Sequence, residues 1–312
     1  MKYISNNIHD RQIGEYHGIE SGACIVIVAG LHGNEPTGIN AIQEIFSTIS
    51  ENQIPIKGDI FAYRGNVSAL KEGRRYLDKD LNRIWKKKLV DQVSTTKPNQ
   101  TLAVEEKEQL ELLSEIEKAI SASRGDTWIL DLHTSSAAGP PFILGGQGNH
   151  VTERVENILH VSVIIDTPGY FSGAMLNHYH RKGLVSFAFE AGQHNTKQSI
   201  EVNKEAIWRV LLGLGSTKIE FLPDSVNTEN LLKKSKNGIP TKIELIYRHA
   251  VSKEDHFKML PGFRNFDQVE QGQILGHDKR GEVQSPEKGM IFLPLYQEIG
   301  EDGFFIVREL RE

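Results

Sequence analysis

The segment IVIVAGLHGNEPTG (25–38) sets a histidine and a glutamate three residues apart, His32 and Glu35, just beyond an apolar β-branched run. A chain with 12 histidines yields on the order of one His-x-x-Glu pair by chance, so the spacing alone says little. This chain has three such pairs. His17 and Glu20 precede the apolar run, and His150 and Glu153 open an amphipathic stretch, ERVENILHV. Only His32 and Glu35 follow the C-terminal end of an expected strand, where open α/β sheets hold their ligands.

Two further strand ends carry titratable groups: DLHTSS ends on His133 and FAFEAGQ on Glu190. In a parallel sheet these ends share one edge with the Gly30 turn, so the four side chains converge on one crevice. His32, Glu35 and His133 make the nitrogen-and-oxygen donor set of a catalytic zinc, one ion per chain, with a position left open. Such an ion acidifies water and polarises a carbonyl. Glu190 is then free to act as the base. Each residue alone also has a plainer reading: His32 as a helix cap, His133 as a core histidine, Glu190 as a surface charge. Their joint placement at matching strand ends favours shared chemistry.

The elements that must position them follow from periodicity. After GNEPTG, Ile39, Ile42, Ile45, Phe46 and Ile49 recur at helical spacing, with Pro36 where a first turn accepts it. Strands are expected at 57–66, 127–136, 161–166 and 184–193, and helices at 104–123 and 201–215. Alternating strands and helices predict an α/β domain over 1–225: a mostly parallel or mixed central sheet with helices on both faces. Beyond the Pro-, Asn- and Lys-rich segment 221–240 only short strand-like runs recur, so a small all-β domain is expected over 238–312, packed near the active site as its rim.

Composition bounds the function. The chain is 312 residues long, 25% charged, with formal net charge −5. No basic block exceeds Lys86-Lys87-Lys88, which argues against nucleic-acid or membrane partners. The N-terminus lacks a signal-peptide apolar region, which predicts a cytoplasmic protein. The single cysteine, Cys24, sits within the first apolar run and reads as a small buried residue.

The ordered motifs LHGNEPTG, LDKDLNRIW, DLHTS and FEAGQ, with the C-terminal PGFRNFDQVEQGQILG and SPEKGMIFLPLYQ, resemble the succinylglutamate desuccinylase/aspartoacylase family, a branch of the zinc carboxypeptidase-like hydrolases. The resemblance implies that His32, Glu35 and His133 bind zinc and that Glu190 is the general base. It implies that Asn82 and Arg83 hold a substrate carboxylate, a task suited to the planar guanidinium fork. Arg75 matches the residue that stabilises the oxyanion, with Arg74 beside it leaving the register open. Asp80 matches an aspartate that hydrogen-bonds the first zinc histidine, and it reads equally well as a carboxylate at a helix N-terminus. In aspartoacylases a Tyr and an Arg ahead of the catalytic glutamate read the substrate's side-chain carboxylate. Here NHYHRKG offers Tyr179 and Arg181 at different offsets, and His178 and His180 in that loop read either as pocket-lining residues or, the reading favoured, as exposed polar residues.

The implied activity is deacylation of a small N-acyl amino acid or related amine. The rivals are a zinc carboxypeptidase acting on short peptides, and a non-catalytic metal-binding or carrier-like protein. The last draws on VEQGQILGHDKRGEVQSPEKGMI, which looks like a lipoyl or biotinyl hairpin with Lys279 at its turn. The Lys-Arg-Gly turn and the short spacing to Ser285-Pro286 favour the β shape without the cofactor. Homo-oligomerisation is left open.

Overall fold

The computed structural model describes residues 3–95, 101–145, 149–226, 231–236 and 238–310. Its strands in chain order are β1 (Tyr3–Ile4), β2 (Gln12–His17), β3 (Cys24–Ala29), β4 (Asp59–Arg64), β5 (Thr127–Ser135), β6 (Phe142–Gly145), β7 (Ser162–Ile165) and β8 (Val185–Gln193). The C-terminal part adds β9 (Lys242–Ala250), β10 (Lys258–Met259), β11 (Gln268–Val269), β12 (Ile274–Asp278), β13 (Gly281–Gln284), β14 (Gly289–Phe292) and β15 (Asp302–Glu309). The main sheet is 12-stranded and mixed, in the order β1-β2-β4-β3-β5-β8-β6-β7-β9-β15-β14-β11.

Its centre, β4-β3-β5-β8, is parallel, and β3 shows why the run CIVIVA is apolar throughout. Ile25, Ile27 and Ala29 pack in the core that includes helix Thr37–Glu51, while Cys24, Val26 and Val28 pack with Leu112, Ile116 and Ala119 of helix Val104–Ala122. Both faces are covered, so alternation gives way to continuous hydrophobicity. Cys24 is fully buried, and burial pushes its thiol up to about 11, which leaves it unreactive.

Beyond β7 the sheet continues into the C-terminal part: β9 pairs in parallel with β7, and β15, β14 and β11 follow antiparallel. The edge of β7 is thereby covered. A separate antiparallel sheet, β10-β12-β13, carries the hairpin whose turn holds Lys279. No helix among the described residues is long and apolar enough to cross a membrane.

Candidate active site

The parallel register brings the chemistry together. Ala29 of β3 is level with Leu132 of β5, and His133 is directly opposite Glu190 of β8. Just past Ala29, Gly30 turns the chain with φ +72°, a conformation that disfavours a side chain. Gly33 then passes so close to the 69–74 segment that a Cβ there would lie 2.1 Å from the Ala69 carbonyl carbon. Its N–H donates to the Arg75 carbonyl at 3.1 Å, which ties the His32 turn to the Arg75 loop.

His32, Glu35 and His133 offer ligand atoms that all lie within 4.8 Å of one another, and all three residues are buried. Glu35 bridges the pair: His32 Nδ1 is 2.8 Å from Oε1 and His133 Nδ1 is 3.0 Å from Oε2. The far nitrogens are backed as ligating imidazoles require. His32 Nε2 lies 3.2 Å from Asp80 Oδ1, while His133 Nε2 lies 2.9 Å from Asp131 Oδ2 and 3.3 Å from Asn82 Nδ2. Burial alone would raise the Glu35 carboxyl, yet the two histidines hold it well below the usual range. Burial would lower His133, yet Asp131 and Glu35 hold it well above the ordinary imidazole value. A site that favours an ionised carboxylate between imidazoles is suited to a divalent cation.

Asp80 touches both the turn that follows it and His32. Its Oδ1 accepts from the Asn82 N–H at 2.9 Å, capping the turn Leu81–Arg83, and also faces His32. Its Oδ2 accepts from Arg75 Nε and Nη2 at 3.2 and 2.9 Å. Arg75 lines the cavity above the donor set, whereas Arg74 is exposed beside Glu72. Arg83 and Asn82 line the same cavity, Arg83 donating to Asp302 Oδ2 at 2.8 Å.

Glu190 is buried and lines the cavity, and its Oε2 has no hydrogen-bond partner among the described residues. Burial pushes its carboxyl up to about 8, with the Glu35 and Asp131 charges adding to the rise and His133 and Arg75 opposing it. A bound cation would pull it back towards the ordinary range.

Tyr179 and Arg181 are placed elsewhere. Tyr179 is fully buried with Leu81, Trp85 and Met175 in the core, and Arg181 donates to the Trp85 carbonyl at 2.9 Å; neither lines the cavity. His178 is buried against Trp85 rather than exposed, and burial brings its imidazole down to about 4. Of the other His-x-x-Glu pairs, His17 bonds to Asp59 at 3.0 Å, and the His150 side chain lies outside the described residues.

The structure adds residues that the motifs do not name. Asp131 is two residues before His133 on one strand, hence on the same face. His194, Gln297, Glu301 and Asp302 also line the cavity, the last three from the C-terminal part. Asn34 Nδ2 donates to Gln297 at 2.8 Å, and Asn265 Nδ2 to Ser135 Oγ at 3.1 Å, which fixes that rim to the strand ends. Glu105, fully buried, accepts from the N–H groups of Leu77, Asp78 and Lys79 at 2.7 to 3.0 Å and so holds the loop between Arg75 and Asp80. Glu105→Ala strands these donors and is expected to cost at least about 3 kcal/mol of stability, read as a lower denaturant midpoint at unchanged m. An unchanged midpoint would mean that water replaces the carboxylate without loss.

A mixed sheet gathering two histidines and two glutamates at its central strand ends has the architecture of the zinc carboxypeptidase-like hydrolases. Residues 21–157 match the sequence model of the succinylglutamate desuccinylase/aspartoacylase catalytic domain. Over that segment the chain is similar to the succinylglutamate desuccinylase/aspartoacylase family, and its fold is similar to solved structures of that family. It is 28% identical over 123 residues to the succinylglutamate desuccinylase of Photorhabdus laumondii, a match covering 38% of this chain and 35% of that protein. The match thus spans about a third of that relative's length. In fold it is similar to succinylglutamate desuccinylase from Vibrio cholerae (TM-score 0.67, 16% identity, 93% of this chain and 82% of the other). It is likewise similar to a succinylglutamate desuccinylase/aspartoacylase from Rhodobacter sphaeroides (TM-score 0.68, 15% identity, 96% and 88%).

Proposed function

We propose that the protein is a zinc-dependent amidohydrolase that cleaves the amide of a small N-acyl amino acid. The observation that carries this reading is the pairing of a buried His/Glu/His donor set with Glu190, a further buried carboxylate directly opposite His133. A purely structural metal needs no such spare group. His32, Glu35 and His133 would hold the ion, one per chain. Zinc, when bound there, would supply Lewis acidity, making water more acidic and the scissile carbonyl more electrophilic.

The chain's own groups would do the rest. Glu190 takes the proton of the attacking water and returns it to the departing amine, a shuttle that needs one carboxylate within reach of both. Arg75, oriented by Asp80, stabilises the charge that develops on the carbonyl oxygen. Arg83 and Asn82 hold a carboxylate of the substrate. Residues 238–312, which we treat as a small β domain distinct from 1–225, rim the cavity through Gln297, Glu301 and Asp302, and this supports a small substrate over a long peptide.

The test is metal analysis of the purified protein together with a panel of N-acetyl, N-succinyl and N-formyl amino acids beside short peptides. One zinc per chain with turnover confined to N-acyl amino acids is expected. Cleavage of peptides alone would make it a carboxypeptidase.

The contact of Asp131 with His133 gives a narrower prediction. Asp131→Asn keeps the size of the side chain and removes the charge that orients and polarises the imidazole. Zinc affinity, titrated against a competing chelator, is expected to fall about 10- to 100-fold. Unchanged affinity would assign Asp131 to packing alone.

A further inference from the structure

Charge in the cavity is unevenly committed. Two guanidiniums line it, and each is already bonded to a carboxylate of the chain, Arg75 to Asp80 at 2.9 Å and Arg83 to Asp302 at 2.8 Å. Asp302 is gripped from its other side by Arg248, whose Nε donates to Oδ1 at 2.5 Å, so it is a fixed part of the wall. Arg83 retains donors for one carboxylate of a substrate. A second, side-chain carboxylate would need another cation, and Tyr179 and Arg181 lie outside the cavity. His194, the remaining basic group lining the cavity outside the donor set, has its imidazole lowered below the ordinary value chiefly by burial, which disfavours its charged form. Beside Asp302 stands Glu301, which lines the same cavity, is exposed at its mouth, and makes no hydrogen bond or ion pair through its carboxylate among the described residues.

Building on the deacylase reading, we infer that the amine half of the substrate is a basic amino acid, its single carboxylate on Arg83 and its side-chain ammonium facing Glu301. Asp302 is already matched by Arg83 and Arg248, so an acidic side chain would meet in Glu301 a carboxylate with no ion-pair partner among the described residues, and like charges brought together at a recognition site cost several-fold to many-fold in affinity. A neutral side chain meets neither penalty nor attraction. The walls therefore select by repulsion as well as by attraction.

The experiment compares kcat/KM for Nα-acetyl-lysine, Nα-acetyl-norleucine and Nα-acetyl-glutamate, and binding of free lysine, norleucine and glutamate to the zinc-loaded protein by calorimetry. The lysine derivative is expected to lead norleucine by about fivefold, the yield of a partly exposed ion pair. The glutamate derivative is expected to trail norleucine by at least about tenfold. Glu301→Lys should reverse the order of the lysine and glutamate derivatives. Turnover of none of the three would overturn deacylation and leave the binding order to decide the charge assignment. Glutamate handled as well as lysine, lysine no better than norleucine, or an order that Glu301→Lys does not change would overturn the inference.

Discussion

Replacing Glu190 by glutamine is expected to leave the metal in place and to lower kcat by at least about 100-fold. Glutamine keeps the shape of the side chain and its capacity to accept a hydrogen bond, but it cannot take a proton. The residue is buried opposite His133, so the isosteric change disturbs little else. Burial also raises the carboxyl's affinity for a proton, pushing its pKa up to about 8 against the opposing charges of His133 and Arg75. That is the bias a proton shuttle requires: strong enough to take a proton from water, weak enough to surrender it to an amine. Glu190→Asp should be impaired as well, because the carboxylate retreats by one methylene. His32→Ala is the contrasting control, since it removes a donor and should release the ion. The decisive measurement pairs zinc content with single-turnover rate for Glu190→Gln. Full zinc at a near-native rate would mean that another group is the base, and zinc loss would make Glu190 a ligand.

Much of this site is written into short stretches of sequence, because each stretch joins a strand end to its functional side chain. IVIVAGLHGNE encodes a doubly covered strand, a turn needing glycine at positive φ, and two donors, all within eleven residues. Register then does the remaining work, since parallel pairing makes His133 and Glu190 neighbours once their strands are adjacent. Asp131 could have been found the same way, because the i, i+2 spacing in a strand puts it on the face of His133.

Other parts depended on contacts between distant segments. Tyr179 lies in the helix Met175–His180, where Met175 and Tyr179, four positions apart, turn into the core with Trp85. Its phenol looked like a recognition group only while that short helix went unread. The C-terminal runs were legible as strands, but their joining of the main sheet through β7 and β9 depends on which edge is free, a property of the assembled sheet. Likewise, the ion pair between Arg83 and Asp302 spans 219 positions, and no local pattern announces it.

Arg75→Ala is expected to lower kcat by about 100- to 1,000-fold, the range for loss of one preorganised donor to an oxyanion. The guanidinium is preorganised because Asp80 accepts from both Nε and Nη2, which fixes the plane of the fork and leaves Nη1 directed towards the cavity, 3.6 Å from Glu35. A donor held this way need not reorient as charge develops on the carbonyl oxygen, so its effect falls on the transition state more than on the bound substrate. kcat and kcat/KM should therefore fall together, with KM little changed. Arg75→Lys should recover only part of the loss, because an ammonium keeps the charge without the planar two-point contact to Asp80. Asp80 would still be held by the Asn82 N–H and by His32, so the metal should remain, which zinc analysis of the same preparation checks. A variant in which KM rises while kcat stays constant would recast Arg75 as a second carboxylate-binding group. That result would also return a cation to the substrate ledger and weaken the case against acidic side chains.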